Sequence, residues 1–117
     1  MKVKSFLGQK SVWFGGFQQS GPLVEKLWDE ALKKINIFPK NILILGLGCG
    51  SVLKPLLKKF PDCQVTGVEI DQEMIETGKK YFNLENYTNL KIVCGDAKNF
   101  CKKTKEKYDL ILVDMYK

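Results

Sequence analysis

From residue 41 onward the chain alternates. Four short apolar runs, NILIL (41–45), QVTGVEI (64–70), LKIVCG (90–95) and YDLILVD (108–114), are separated by segments of helical rhythm at 52–60, 72–82 and 97–107. Parallel strands can be joined only by a crossover that packs back onto the sheet, so this rhythm predicts a parallel sheet with right-handed connections. The unbroken apolar character of NILIL fits a strand covered on both faces. The fold class is therefore α/β, with about four core strands.

Residues 1–38 precede this unit. KVKSFL and SVWF read as a short hairpin over residues 2–14, with Gly8-Gln9-Lys10 as its turn. GGFQQSGP (15–22) reads as a loop, with Ser20 as a helix cap and Pro22 in the first turn. Leu23, Val24, Leu27, Trp28, Ala31, Leu32 and Ile35 then recur at helical spacing, and Phe38-Pro39-Lys40 ends that helix. At 117 residues the two parts, 1–38 and 39–117, form one compact unit with one core. The sequence stops three residues after Asp114. LILV is as apolar as a central strand, so its outer edge needs a cover. Either a missing C-terminal part or a second copy is expected over residues 108–114.

Composition narrows the partners. The net charge is +6, and every basic residue is lysine. Nucleic-acid readers rely on arginine for bidentate contacts, so nucleic acid is not expected as a ligand. The lysines are spread along the chain, most of them at the ends of the expected helices, where cations suit the helix dipole. Cys49, Cys63, Cys94 and Cys101 show no C-x-x-C spacing, and the chain has no histidine. No metal is expected; the thiols read as reduced and mostly buried, and the location as cytoplasmic. No apolar run reaches the ~20 residues of a membrane span.

The chemistry centres on GLGCGS (46–51). In an open parallel sheet, ligands bind beyond the carboxyl ends of the strands. Gly46, Gly48 and Gly50 let the backbone turn sharply there, and a helix starting near Ser51 would point free N–H groups at an anion. A dinucleotide loop would place its third glycine at 51, where this chain has serine. Glu69 ends the second strand, 23 residues after Gly46, where an acid suits a ribose diol. Asp71 is placed to cap the next helix. Asp96 ends the third strand, where it could accept from an adenine amino group or cap a helix.

GLGCGS, GVEID, CGDA and YDLILVD, in this order, resemble the class I S-adenosylmethionine-dependent methyltransferases, and among them the spermidine synthase-like branch. The resemblance covers residues 41–115 and implies a Rossmann-like sheet of order 3-2-1-4, incomplete after its fourth strand. It also implies site roles. Gly46, Leu47, Gly48 and Gly50 would line the methionine moiety. Glu69 would bind the ribose, Ile70 would flank the adenine, and Asp96 with Ala97 would contact the base. Asp114 lies where spermidine synthases keep a catalytic aspartate, and Gln19 near a glutamine that contacts the cofactor side chain. The implied cofactor is S-adenosylmethionine or S-adenosylhomocysteine.

Three departures bear on the reaction. The aminopropyltransferases of this branch carry an aspartate in the glycine loop where this chain has Cys49. Their helix carries a histidine where Asp29 follows Trp28, and the rest of their substrate pocket lies beyond residue 117. These departures rank methyl transfer to a small or unknown acceptor first. Aminopropyl transfer from decarboxylated S-adenosylmethionine ranks second and a non-catalytic or partner-dependent module third. A nicotinamide enzyme ranks last, because of Ser51.

Overall fold

In a computed structural model of the chain, residues 2–6, 9–14 and 17–20 are described by their backbone, and residues 22–114 with their side chains. The first three strands form an antiparallel meander: β1 (Lys2–Phe6), β2 (Gln9–Phe14) and β3 (Phe17–Ser20). The expected hairpin is present, with Phe6 opposite Gln9. Gln9 and Lys10, expected in its turn, belong instead to β2, and Gly8 lies outside the described residues.

The expected loop at 15–22 is corrected, because Phe17–Ser20 is a third strand with Phe14 opposite Phe17. The new strand gives the open edge of β2 a hydrogen-bonding partner. Ser20, expected as a helix cap, pairs with Val12 in this strand, and its side chain lies outside the described residues.

Helix α1 spans Pro22–Leu32, with proline at its first position as expected. It ends three residues before Ile35. The chain leaves it through a tight turn in which the Ile35 N–H donates to Leu32 O at 3.1 Å. Lys59 Nζ donates to the carbonyls of Leu32 and Ile35, so a cation satisfies the helix end and complements its dipole. The buried face is narrower than the periodicity implies. Val24, Trp28 and Leu32 turn inward, whereas Leu23 and Leu27 are 56% and 63% exposed.

The second sheet holds β4 (Asn41–Leu45), β5 (Gln64–Glu69), β6 (Leu90–Cys94) and β7 (Leu110–Val113). All its pairings are parallel, in the order β6-β5-β4-β7. This is the expected 3-2-1-4 arrangement. The crossovers carry α2 (Leu53–Lys59), α3 (Gln72–Tyr81) and α4 (Ala97–Lys103). Helix α4 is one turn shorter than the expected 97–107. Thr104 Oγ1 accepts from the Glu106 N–H, a local turn that competes with continuing the helix.

NILIL is apolar throughout because both of its faces are covered. Ile42 and Ile44 pack with Leu32, Leu53, Leu56, Val65 and Leu112 on one side. Leu43 and Leu45 pack with Val68, Val93, Ala97, Phe100 and Tyr108 on the other. On β7 only Leu112 is buried, while Ile111 and Val113 are exposed along the outer strand. Of the thiols, Cys49 and Cys63 are buried, whereas Cys94 and Cys101 are exposed, which corrects the expectation of mostly buried cysteines. Burial pushes the Cys63 thiol above its ordinary range.

At the amino end of this sheet, the Asp109 carboxylate accepts the N–H groups of Lys40 (2.8 Å) and Asn41 (3.0 Å). These bonds tie the start of β7 to the start of β4 and hold the Asp109 carboxyl below the usual range. Among the described residues, no helix is long and apolar enough to cross a membrane.

Candidate functional site

The loop after β4 is built on three left-handed glycines, with φ of +90° at Gly46, +59° at Gly48 and +86° at Gly50. A side chain in this region meets the neighbouring carbonyl, so glycine at alternate positions lets the chain zigzag without strain. The N–H groups of Gly46 and Leu47 both donate to Val68 O, at 2.9 and 3.0 Å. The Gly48 N–H donates to Glu69 Oε1 at 2.7 Å. The loop is therefore tied to the end of β5 by three bonds.

Its two sides differ. Gly46 and Gly48 lie on a half-buried surface. The other side is packed into the protein. Leu47, expected at the cofactor, is buried, and a Cβ on Gly67 would come within 2.9 Å of it. Cys49 is fully buried, with Sγ 3.4 Å from Met74 O on α3. Gly50 is buried against Leu84, which also fills the space left by Gly78. Leu84 lies in a 3-10 turn, Leu84–Asn86, that the periodicity did not reveal. The expected anion cradle near Ser51 is corrected. Ser51 is buried, α2 starts at Leu53 and is only seven residues long, and Gly50 O accepts the Leu53 N–H at 3.0 Å.

Glu69 joins the glycine loop to the start of α3. Its Oε1 holds Gly48 and its Oε2 accepts the Asp71 N–H at 3.0 Å. A carboxylate oxygen has two lone pairs, so each still has capacity for a second donor. Such a pair of acceptors matches a vicinal diol. Ile70 follows, 67% exposed, and offers an apolar surface beside the carboxylate. Asp71 caps α3 by accepting from Glu73 N at 2.9 Å, as expected.

The end of β6 is aligned with the same place. Cys94 stands opposite Glu69, and the Gly95 N–H donates to Glu69 O at 2.9 Å. Asp96 is exposed and caps α4 through the Asn99 N–H at 3.3 Å. Ala97 packs into the core beneath it. On the other flank, the Asp114 N–H donates to Leu45 O at 2.8 Å, and the Trp28 indole N–H donates to Asp114 Oδ2 at 3.3 Å.

Register thus brings Gly46, Gly48, Glu69, Ile70, Asp96 and Asp114 to one end of the sheet. Gln19 lies on β3 in the other sheet, and its side chain is outside the described residues. Trp28 was missed as part of this region. Its signal was its place between Val24 and Leu32, four residues from each, which turns it toward the sheet. Among the described residues, no group of three or more His, Cys, Asp or Glu side chains could hold a metal ion.

Comparison with known proteins agrees with this geometry. Residues 29–117 match the model of the spermine/spermidine synthase domain. The chain is 38% identical to polyamine aminopropyltransferase 2 of Aquifex aeolicus (strain VF5), covering 90% of this chain and 23% of that protein. It is 36% identical to polyamine aminopropyltransferase of Buchnera aphidicola subsp. Schizaphis graminum (strain Sg), covering 85% of this chain and 38% of that protein. The chain therefore spans well under half the length of these relatives. Spermidine synthase from Thermotoga maritima has the same fold, with a TM-score of 0.73 at 18% identity over 99% of this chain and 48% of that one. A sheet of this order, a glycine loop tied to a strand-end glutamate and a family match over three quarters of the sequence lead to one conclusion: the chain belongs to the spermine/spermidine synthase domain family.

Proposed function

We propose that this chain forms the nucleoside-binding part of an aminopropyl-transfer site, which uses decarboxylated S-adenosylmethionine as donor and an amine as acceptor. The observation that carries this reading is Glu69, whose two oxygens are held by Gly48 and Asp71 with acceptor capacity left over. The groups around it fit an adenosine. Glu69 suits the ribose diol, the exposed Ile70 side chain suits one face of the base, and Asp96 keeps an exposed carboxylate for an exocyclic amine. Gly46 and Gly48 offer close backbone approach to the sulfonium end. The names of the relatives support aminopropyl transfer to an amine over methyl transfer, which the sequence alone had ranked first.

In this reaction the acceptor nitrogen attacks the aminopropyl carbon bonded to sulfur. A C–N bond forms, the C–S bond breaks with its electron pair passing to sulfur, and 5′-methylthioadenosine leaves. The sulfonium supplies the electrophile, so the protein mainly orients the partners. Asp114 takes the role of a carboxylate beside the acceptor, which helps remove the proton released by the attacking amine. Further polypeptide, from the same protein or a partner, supplies the acceptor wall and covers the outer edge of β7.

Methyl transfer from S-adenosylmethionine remains the second reading, and Cys49 favours it. The residue is a buried thiol at a loop position where the polyamine branch carries a carboxylate. Titration calorimetry with 5′-methylthioadenosine tests the nucleoside site common to both readings. Saturable binding to one site is expected. A folded chain that gives no heat and no competition with S-adenosylhomocysteine contradicts the proposal.

A further inference from the structure

Asp114 is held through its main chain and through its side chain. Its backbone N–H is bound to Leu45 O at 2.8 Å, which fixes the main chain at the end of β7. Its side chain is reached from a distant element, for the Trp28 indole N–H meets Oδ2 at 3.3 Å across 86 residues of sequence. Trp28 itself packs against the core cluster that contains Leu32, Leu56 and Leu112. The direction of the indole N–H is therefore set by the core. An indole can donate but cannot accept, so it cannot take a proton from the carboxylate or compete with it as a base.

We propose that Trp28 is a positioning residue for Asp114, fixing the rotation of its carboxylate so that the group faces the amine acceptor. The inference rests on the amine-transfer reading above. It adds that α1, outside the strand-end crevice, sets the geometry of the acceptor side. A hydrogen bond to an ionised group stabilises the charged form, and losing a partly buried one costs about a factor of ten in a dependent equilibrium.

The test replaces Trp28 by 3-benzothienylalanine, which keeps the bicyclic shape and removes only the N–H. Thermal unfolding and the affinity for 5′-methylthioadenosine should stay within about twofold of the unmodified chain. The affinity for 1,4-diaminobutane, measured with 5′-methylthioadenosine bound and with the further polypeptide that completes the acceptor wall present, should fall about tenfold. Trp28→His, which restores a ring N–H, should recover part of that loss. Unchanged diamine affinity in the benzothienyl variant overturns the inference.

A ligand-free readout separates this result from failure of the functional reading. The Trp28 indole N–H resonance should move with the ionisation of one carboxylate, and that movement should vanish in Asp114→Asn. An indole signal insensitive to pH and to Asp114→Asn overturns the positioning role. Absence of 5′-methylthioadenosine binding by the unmodified chain instead defeats the nucleoside site on which it rests.

Discussion

Glu69→Ala is expected to lower the affinity for 5′-methylthioadenosine by about a hundredfold or more. Two charge-assisted bonds to the ribose diol disappear, each worth roughly 1.5–3 kcal/mol. The loop changes as well. Gly48 N and Asp71 N lose the acceptors that hold them at 2.7 and 3.0 Å, and both lie in a half-buried region. Unsatisfied donors there cost about 1–3 kcal/mol of stability, so the unfolding midpoint should fall too. Glu69→Gln separates the two effects. Its amide oxygen can accept from Gly48 or from Asp71, but its NH₂ then faces the other N–H, donor against donor. Calorimetry together with urea unfolding checks both. A Gln variant that binds the nucleoside as tightly as the original chain contradicts the role given to Glu69.

The second large effect concerns packing. Gly50→Ala is expected to destabilise the fold by ~2–5 kcal/mol. The backbone at Gly50 has φ of +86°, where an added Cβ meets the neighbouring carbonyl. That Cβ would also overlap the Leu84 side chain, buried beneath the loop. A domain of this size has only about 5–15 kcal/mol in reserve, so the variant stands near the threshold of folding. Gly95→Ala is the control. A Cβ there meets nothing within 4 Å and the residue has no positive φ, so its cost should stay below about 1 kcal/mol. Leu84→Ala should recover part of the Gly50→Ala loss in a double-mutant cycle, because it removes the overlap and leaves the backbone strain. Equal unfolding free energies for the Gly50 and Gly95 variants refute this account of the loop.

Most of the parallel sheet was legible in the sequence, for a physical reason. Strands covered on both faces are apolar throughout, and the helices between them carry their own period, so NILIL and its successors announced order and direction. The place of Glu69 at the carboxyl end of β5 was legible too, because the alternation of strands and helices fixes strand direction. Residues whose role depends on tertiary placement were harder to read. FQQS has no strong strand pattern, and it became β3 only because β2 offered an edge. Leu47 looked like a ligand-facing loop residue, yet the alternate left-handed glycines turn it into the core, where Cys49 is buried as well. Asp109 looked like part of a family signature, and its carboxylate instead joins the starts of β4 and β7. Trp28 looked like one member of an apolar stripe, while its N–H reaches Asp114. Long-range hydrogen bonds of this kind leave no periodic trace.

The central claim is that this strand-end crevice accepts an aminopropyl donor. The most direct measurement compares decarboxylated S-adenosylmethionine with S-adenosylmethionine by titration calorimetry on the same folded chain. The account predicts that the decarboxylated donor binds at least about tenfold more tightly, a difference of roughly 1.4 kcal/mol. Tighter binding of the carboxylated donor would contradict it and turn the reading to methyl transfer.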